Sequence, residues 1–74
     1  MKGVNIMILI DSVAIRNIMI SKQLGLKELA NLAKIPYSTI CKLAQRDKNI
    51  NFKTAGKLIK ALNVDADTII KANQ

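Results

Sequence analysis

Residues Leu24 to Leu43 read LGLKELANLAKIPYSTICKL, and this stretch decides the fold. Its apolar positions recur at helical spacing in two short runs. Leu29, Ala30 and Ala33 form the inward stripe of the first run, and Ile40 and Leu43 that of the second. Ile35 falls between them, at a turn, where it can plug the crevice between two helices. Helices that cross steeply need a small side chain at the crossing, and Ala30 supplies it. The interval of five residues from Ala30 to Ile35, five more to Ile40 and three to Leu43 is more specific than apolar periodicity alone.

The pattern is that of a helix-turn-helix, whose second helix is shaped to enter the major groove of DNA. Gly25 takes the N-cap of its first helix, about Leu26 to Ala33, without a side-chain acceptor. Lys34 and Ile35 make the turn. Pro36 opens the second helix, which runs to about Gln45, at a position where its missing N–H costs nothing.

Outward from this pair, the chain predicts three more helices. Val4 to Ile10, VNIMILI, is rich in β-branched residues and is a candidate strand. Asp11 and Ser12 offer N-caps for helix 1, about Val13 to Gln23, with Ile15, Ile18 and Met19 inward. Arg46 to Ile50 reads as a polar loop. Asn51 caps helix 4, about Phe52 to Leu62, with Ala55, Leu58, Ile59 and Leu62 inward. Asn63 suits the left-handed position that ends it. Asp65 caps helix 5, about Ala66 to Ala72, which buries Ile69 together with Ile70. Asp67 sits well in its first turn, where the helix dipole favours an acid. There is no repeat, linker or low-complexity segment.

Composition narrows the class. Seventy-four residues, half of them apolar, make one small domain of modest stability. Only Tyr37 and Phe52 are aromatic, which argues against a β-sandwich or barrel and for aliphatic helix packing. A single cysteine excludes an internal disulfide. With no histidine, a structural zinc site and the usual nucleophile–base pairs are excluded as well, so neither an enzyme nor a cofactor is expected. No segment reaches the ~18 apolar residues of a membrane helix. Met1 to Ile10 is too short, and lacks the small-residue cleavage site, for a signal peptide. The expectation is a cytoplasmic protein.

The net charge is +7, and it is unevenly spread. Residues 22–60 carry nine basic groups (Lys22, Lys27, Lys34, Lys42, Arg46, Lys48, Lys53, Lys57, Lys60) against Glu28 and Asp47, which is the whole surplus. The flanking segments, with Lys2 and Arg16 against Asp11, and Lys71 against Asp65 and Asp67, cancel. A basic field confined to the helix-turn-helix suits a polyanion such as DNA; a lysine-rich surface that merely favours solubility is the competing reading.

In LKELANLAKI, YSTICKL and LIKALNVDADTII the chain resembles the lambda-repressor-like domain of Cro and C1-type phage repressors, over about Ser12 to Ile70. The resemblance implies an all-α, five-helix domain over residues 12–74. Residues 1–11 would then be an N-terminal extension with the candidate strand, and Met7 a second possible translation start. Where the family usually opens helix 2 with Ser or Thr followed by Gln, this chain has Gly25-Leu26, so one amide contact to phosphate is missing. The glycine common in the turn is Lys34, which then adopts a left-handed conformation at some cost. A glycine often found after helix 3 is Arg46. An Arg in helix 1 and a Glu at the end of helix 3 are replaced by Met19 and Ala44, and losing both charges together keeps the fold reading intact.

On helix 3, Tyr37, Ser38 and Lys42 are expected to face outward, flanked by Thr39 and Cys41. Tyr37 and Ser38 match the family's first base-contacting positions. Ser38 can donate or accept at several base edges, and Lys42 can reach guanine O6 and N7. Thr39 completes the expected base-contacting set. Lys27, Asn31, Lys34, Lys48, Asn49 and Lys53 are the candidate phosphate contacts, from helix N-termini and nearby cations; Asn51 is first a cap. Cys41 reads as a small space-filler before a redox sensor. The implied function is a sequence-specific, Cro-like or repressor-like transcriptional regulator. The alternative is a protein-interaction module on the same fold, an antitoxin or anti-repressor whose partner is a toxin or a repressor. No second domain is legible, so a homodimer is expected to form through the domain's own surface, the other reading being a monomer that binds weakly. The choice lies between Val4 to Ile10, paired with its symmetry mate, and the helix 5 end with Ile69 and Ile70.

Overall fold

The computed structural model describes residues 7–73. The elements in chain order are β1 (Met7–Ile10), α1 (Ser12–Ser21), α2 (Leu26–Ala33), α3 (Tyr37–Gln45), β2 (Lys48–Asn51), α4 (Phe52–Leu62), α5 (Ala66–Ile69) and β3 (Ile70–Asn73). The four longer helices lie within a residue or two of their expected limits. The fold is not purely helical, however. The expected polar loop Arg46 to Ile50 contains β2, and the expected helix 5 stops at Ile69, with Ile70 onward extended as β3.

The three strands form an antiparallel sheet of order β2-β1-β3. In β1 the burial alternates, with Ile8 and Ile10 in the core. Ile8 lies directly opposite Ile50, the one buried residue of β2, so two β-branched side chains pair on the inner face. Both edges of Met7–Ile10 are therefore used within the chain. This overturns the expectation that this strand pairs with its symmetry mate; Val4 to Ile6 lie outside the described residues. In β3, Ile70 opposes Ile10 and Ala72 opposes Leu9, which leaves Lys71 as the extra residue of a bulge.

The sheet feeds directly into helices. Asp11 follows β1 and caps α1: its carboxylate accepts from the N–H of Val13 (3.0 Å) and Ala14 (3.2 Å), and its carbonyl from that of Ile15. The remaining N–H of the first turn, that of Ser12, donates to Asp47 Oδ1 at 2.9 Å. The Asp11 N–H itself donates to the Ile69 carbonyl at 2.8 Å, so all four unpaired donors of this helix start, those of Asp11, Ser12, Val13 and Ala14, are satisfied. Asn51 ends β2 and caps α4, accepting from the Thr54 N–H at 2.7 Å. Asp65 precedes α5 in extended backbone but makes no side-chain cap, contrary to the sequence reading.

Three helices end in the same way. Gln23, Lys34 and Asn63 have φ of 54°, 57° and 56° after α1, α2 and α4. The next residue in each case, Leu24, Ile35 or Val64, donates its N–H to the carbonyl five residues back and turns an apolar side chain onto the core. This is the left-handed C-terminal motif with its hydrophobic contact. Glycine, the residue it favours, is absent from all three positions, and only Asn63 is a residue that tolerates the conformation well. Ile35 is nearly fully buried between α2 and α3, as its place in the spacing requires. Ile15, Leu29, Ile40, Leu43, Leu58, Leu62 and Ile69 complete a core of aliphatic side chains contributed by all five helices.

Candidate nucleic-acid interface

α3 has an inner and an outer face. Ile40 and Leu43 are fully buried, so the 100° step per residue turns Ser38, Lys42 and Gln45 to solvent. Tyr37 is 47% exposed. Thr39 and Cys41 are half-buried at the margins of the outer face. The Cys41 thiol, one turn on, raises the Tyr37 phenol above its ordinary value. Pro36 stands at the N-cap with no side-chain acceptor; its carbonyl accepts the Ile40 N–H at 3.1 Å, and the helix itself starts at Tyr37 rather than at Pro36.

The remaining candidates are distributed over the neighbouring elements. Lys27 and Asn31 are exposed on α2, Lys34 is exposed at its left-handed end, Asn49 is exposed on β2, and Lys53 is exposed in the first turn of α4. Lys48 is half-buried. The structure gathers some of them. Lys42 and Lys48 line a cleft of about 290 Å³ beyond the end of α3, together with Arg46 and Asp47. Lys34 lines a second cleft, of about 440 Å³, with Lys57 and Lys60 of α4. Arg46, Lys57 and Lys60 belong to the charge surplus but not to the expected contacts. The spacing of Lys53, Lys57 and Lys60, four and then three residues, was a signal that they share a face.

The start of α2 lacks a side-chain cap because Gly25 has none to offer; instead Glu28 Oε1 accepts from the Gly25 N–H at 2.8 Å. The end of α3 is held from α1. Arg16 Nη1 donates to the Ala44 carbonyl at 2.7 Å. One turn earlier, buried Ser12 gives Asp47 Oδ1 both its N–H (2.9 Å) and its hydroxyl (3.1 Å). Lys71 Nζ donates to the other oxygen of Asp47 at 2.7 Å. The Lys71 ammonium, and then the two Ser12 donors, lower the Asp47 carboxyl to about 2. Asp47 therefore ties the exit of α3 to the start of α1 and to the bulge of β3.

A family model for the Cro/C1-type HTH DNA-binding domain matches residues 14–74. The chain belongs to this family. Comparison with curated proteins found no match. Membership makes the chain a DNA-binding regulator in general terms, and it agrees with the crossed pair α2–α3 and the cations around it. Met19 is buried and Ala44 half-buried, and since neither carries a charge no ion pair joins α1 to α3 at these positions. The link to Ala44 runs through its backbone, from Arg16. Among the described residues, no helix is long and apolar enough to cross a membrane.

Proposed function

We propose that the chain is a sequence-specific transcriptional regulator of the phage Cro and repressor kind, which reads the major groove with α3. The observation that carries this reading is the outer face of α3, with Tyr37, Ser38 and Lys42 exposed over a buried Ile40–Leu43 stripe, inside a field holding the whole positive surplus. Tyr37, Ser38, Thr39 and Lys42 contact bases. Lys42 or Ser38 can pair with base edges, and the Tyr37 ring can lie against a thymine methyl. Lys27, Asn31, Lys34, Lys48, Asn49 and Lys53 contact phosphates and set the register without reading sequence.

The active species is a homodimer, since a reader of this kind covers one half-site and a two-fold axis places the second about one helical turn away. The helix 5 end supports this. Ile70 is half-buried and lines an open apolar groove of about 200 Å³ with Phe52, Ile59 and Ala66. Phe52 is 69% exposed, a large apolar surface to leave in water.

Titration of fluorescent duplex at several salt concentrations tests DNA binding. Neutralising about five phosphates gives a log–log slope near −4 to −5 from counterion release. A flat response, or no binding at low salt, contradicts the proposal.

A further inference from the structure

Arg16 makes a long-range contact at the end of α3 that no sequence pattern marks. Its guanidinium crosses from α1 to the Ala44 carbonyl at 2.7 Å, over a separation of 28 residues. Ala44 lies in the last turn of α3. The last four carbonyls of a helix have no partner within it, and the aligned peptide dipoles leave partial negative charge there. A guanidinium at that point satisfies a carbonyl and complements the dipole. The sequence-local alternative is absent, because Arg46 follows the helix in extended backbone and caps with its N–H alone, to the Lys42 carbonyl.

Arg16 does not act alone on this helix end. Ser12 lies one turn earlier on α1 and holds Asp47, two residues beyond α3. Along α1 the two points are about 6 Å apart, from the rise per residue. Two directional contacts on one helix define an orientation that apolar packing leaves soft. Ile15 and Met19 of α1 share one core with Ile40 and Leu43 of α3, which holds the two helices together, but apolar burial is non-directional and discriminates weakly among small rotations of α3. A charge-assisted bond to a fixed carbonyl is not.

We propose that Arg16 is a positioning residue for DNA recognition, holding the roll and tilt of α3 by its bond to the Ala44 carbonyl. The inference rests on the reading of α3 as the base-contacting helix. Its consequence is selective. Fixing α3 matters for the fit of Tyr37, Ser38 and Lys42 to base edges. Contacts to phosphate through flexible lysines tolerate a small change of angle.

The test compares the parent with Arg16→Gln, too short to span the same gap, and Arg16→Lys, which keeps the charge without the planar fork. Each is titrated on the duplex that the parent selects from random sequence and on a scrambled duplex, at several salt concentrations, with a urea denaturation alongside. The expected result for Arg16→Gln is a loss of up to about tenfold on the selected duplex, the ceiling that one charge-assisted hydrogen bond within the protein sets on such a coupling. Binding to the scrambled duplex should stay within about twofold and the salt slope unchanged, because counterion release follows phosphate contacts. Arg16→Lys should fall between the two. Equal losses on both duplexes, with a slope shallower by about 0.9, would mean that Arg16 touches a phosphate itself and would overturn the proposal. So would an unchanged ratio in Arg16→Gln. Should Arg16→Gln fail to fold, an Arg16→Lys protein with the parent's ratio of selected to scrambled affinity overturns it equally. Failure of the underlying reading is separable: it appears as unchanged sequence preference in Ser38→Ala and Lys42→Ala.

Discussion

Lys34 holds the turn of the helix pair in a conformation that its own chemistry disfavours. Its φ of 57° and ψ of 43° put Cβ against the following carbonyl, which costs about 1 kcal/mol for a residue other than glycine. The conformation persists because the Lys34 and Ile35 N–H groups both reach the Ala30 carbonyl and Ile35 is buried. Lys34→Gly should therefore raise stability by up to about 0.5 kcal/mol, the strain relieved less the extra entropy of an unfolded glycine. The same protein should bind duplex more weakly if Lys34 meets a phosphate. Urea midpoints and a duplex titration read the two effects separately, and a lower midpoint contradicts the strain argument. Asp47 governs a different behaviour. Its carboxyl titrates at about 2 in the folded chain, below the ~3.9 of an unfolded aspartate, so its contribution is present in full above pH 4. That contribution drains away as pH falls from 4 through 2. Beside it, the Asp47 carboxylate raises the Lys71 ammonium, whose share is complete below its unfolded value and fades as pH climbs past the folded one. Asp47→Asn should lower the urea midpoint at pH 6, and the gap to the parent should close towards pH 2. A gap independent of pH would contradict the linkage.

At the scale of elements, the α2–α3 pair depends on one small residue. Ala30 is buried at the position the sequence assigns to the crossing, so Ala30→Leu should overpack it and destabilise by about 1–3 kcal/mol. An unchanged denaturation midpoint would show that the crossing has room. The limits of α2, α3 and α4 were legible because each is set locally, by Gly25, Pro36 or Asn51 at the start and by a turn at the end. β2 and β3 were not. In Lys48–Asn51 only Ile50 is buried, and KNIN looks like loop until β1 is known to lie beside it. In Ala66–Asn73 the chain keeps a helical appearance, but Ile70 leaves the helix to pair with Ile10. Strand pairing is a non-local bargain, and short sequences carry little trace of it. The contacts that steady α3 were hidden for the same reason: nothing in sequence links Arg16 to Ala44, or Ser12 to Asp47. The charge field, by contrast, was open to inspection, whereas the grouping of Lys57 and Lys60 with Lys34, and of Lys42 with Arg46 and Lys48, follows from the fold.

For the whole molecule, assembly and recognition are linked. If the Phe52–Ile70 groove joins two copies, Phe52→Lys and Ile70→Lys should each yield monomers in sedimentation at concentrations where the parent is dimeric. Because a dimer places two half-sites at once, these variants should also lose affinity for palindromic duplex more than for a single half-site. A parent that stays monomeric at high micromolar concentration, even on palindromic DNA, contradicts the dimer. The central claim is that the outer face of α3 reads base sequence, and selection from random duplex tests it most directly. The parent should enrich a defined site, while Ser38→Ala and Lys42→Ala should each cost about 1–3 kcal/mol on that site and relax preference at distinct positions. Lys27→Ala and Lys53→Ala should weaken all sequences alike and leave the enriched site unchanged. Enrichment of the same site, with the same preference at every position, by the parent and both α3 variants would contradict the account.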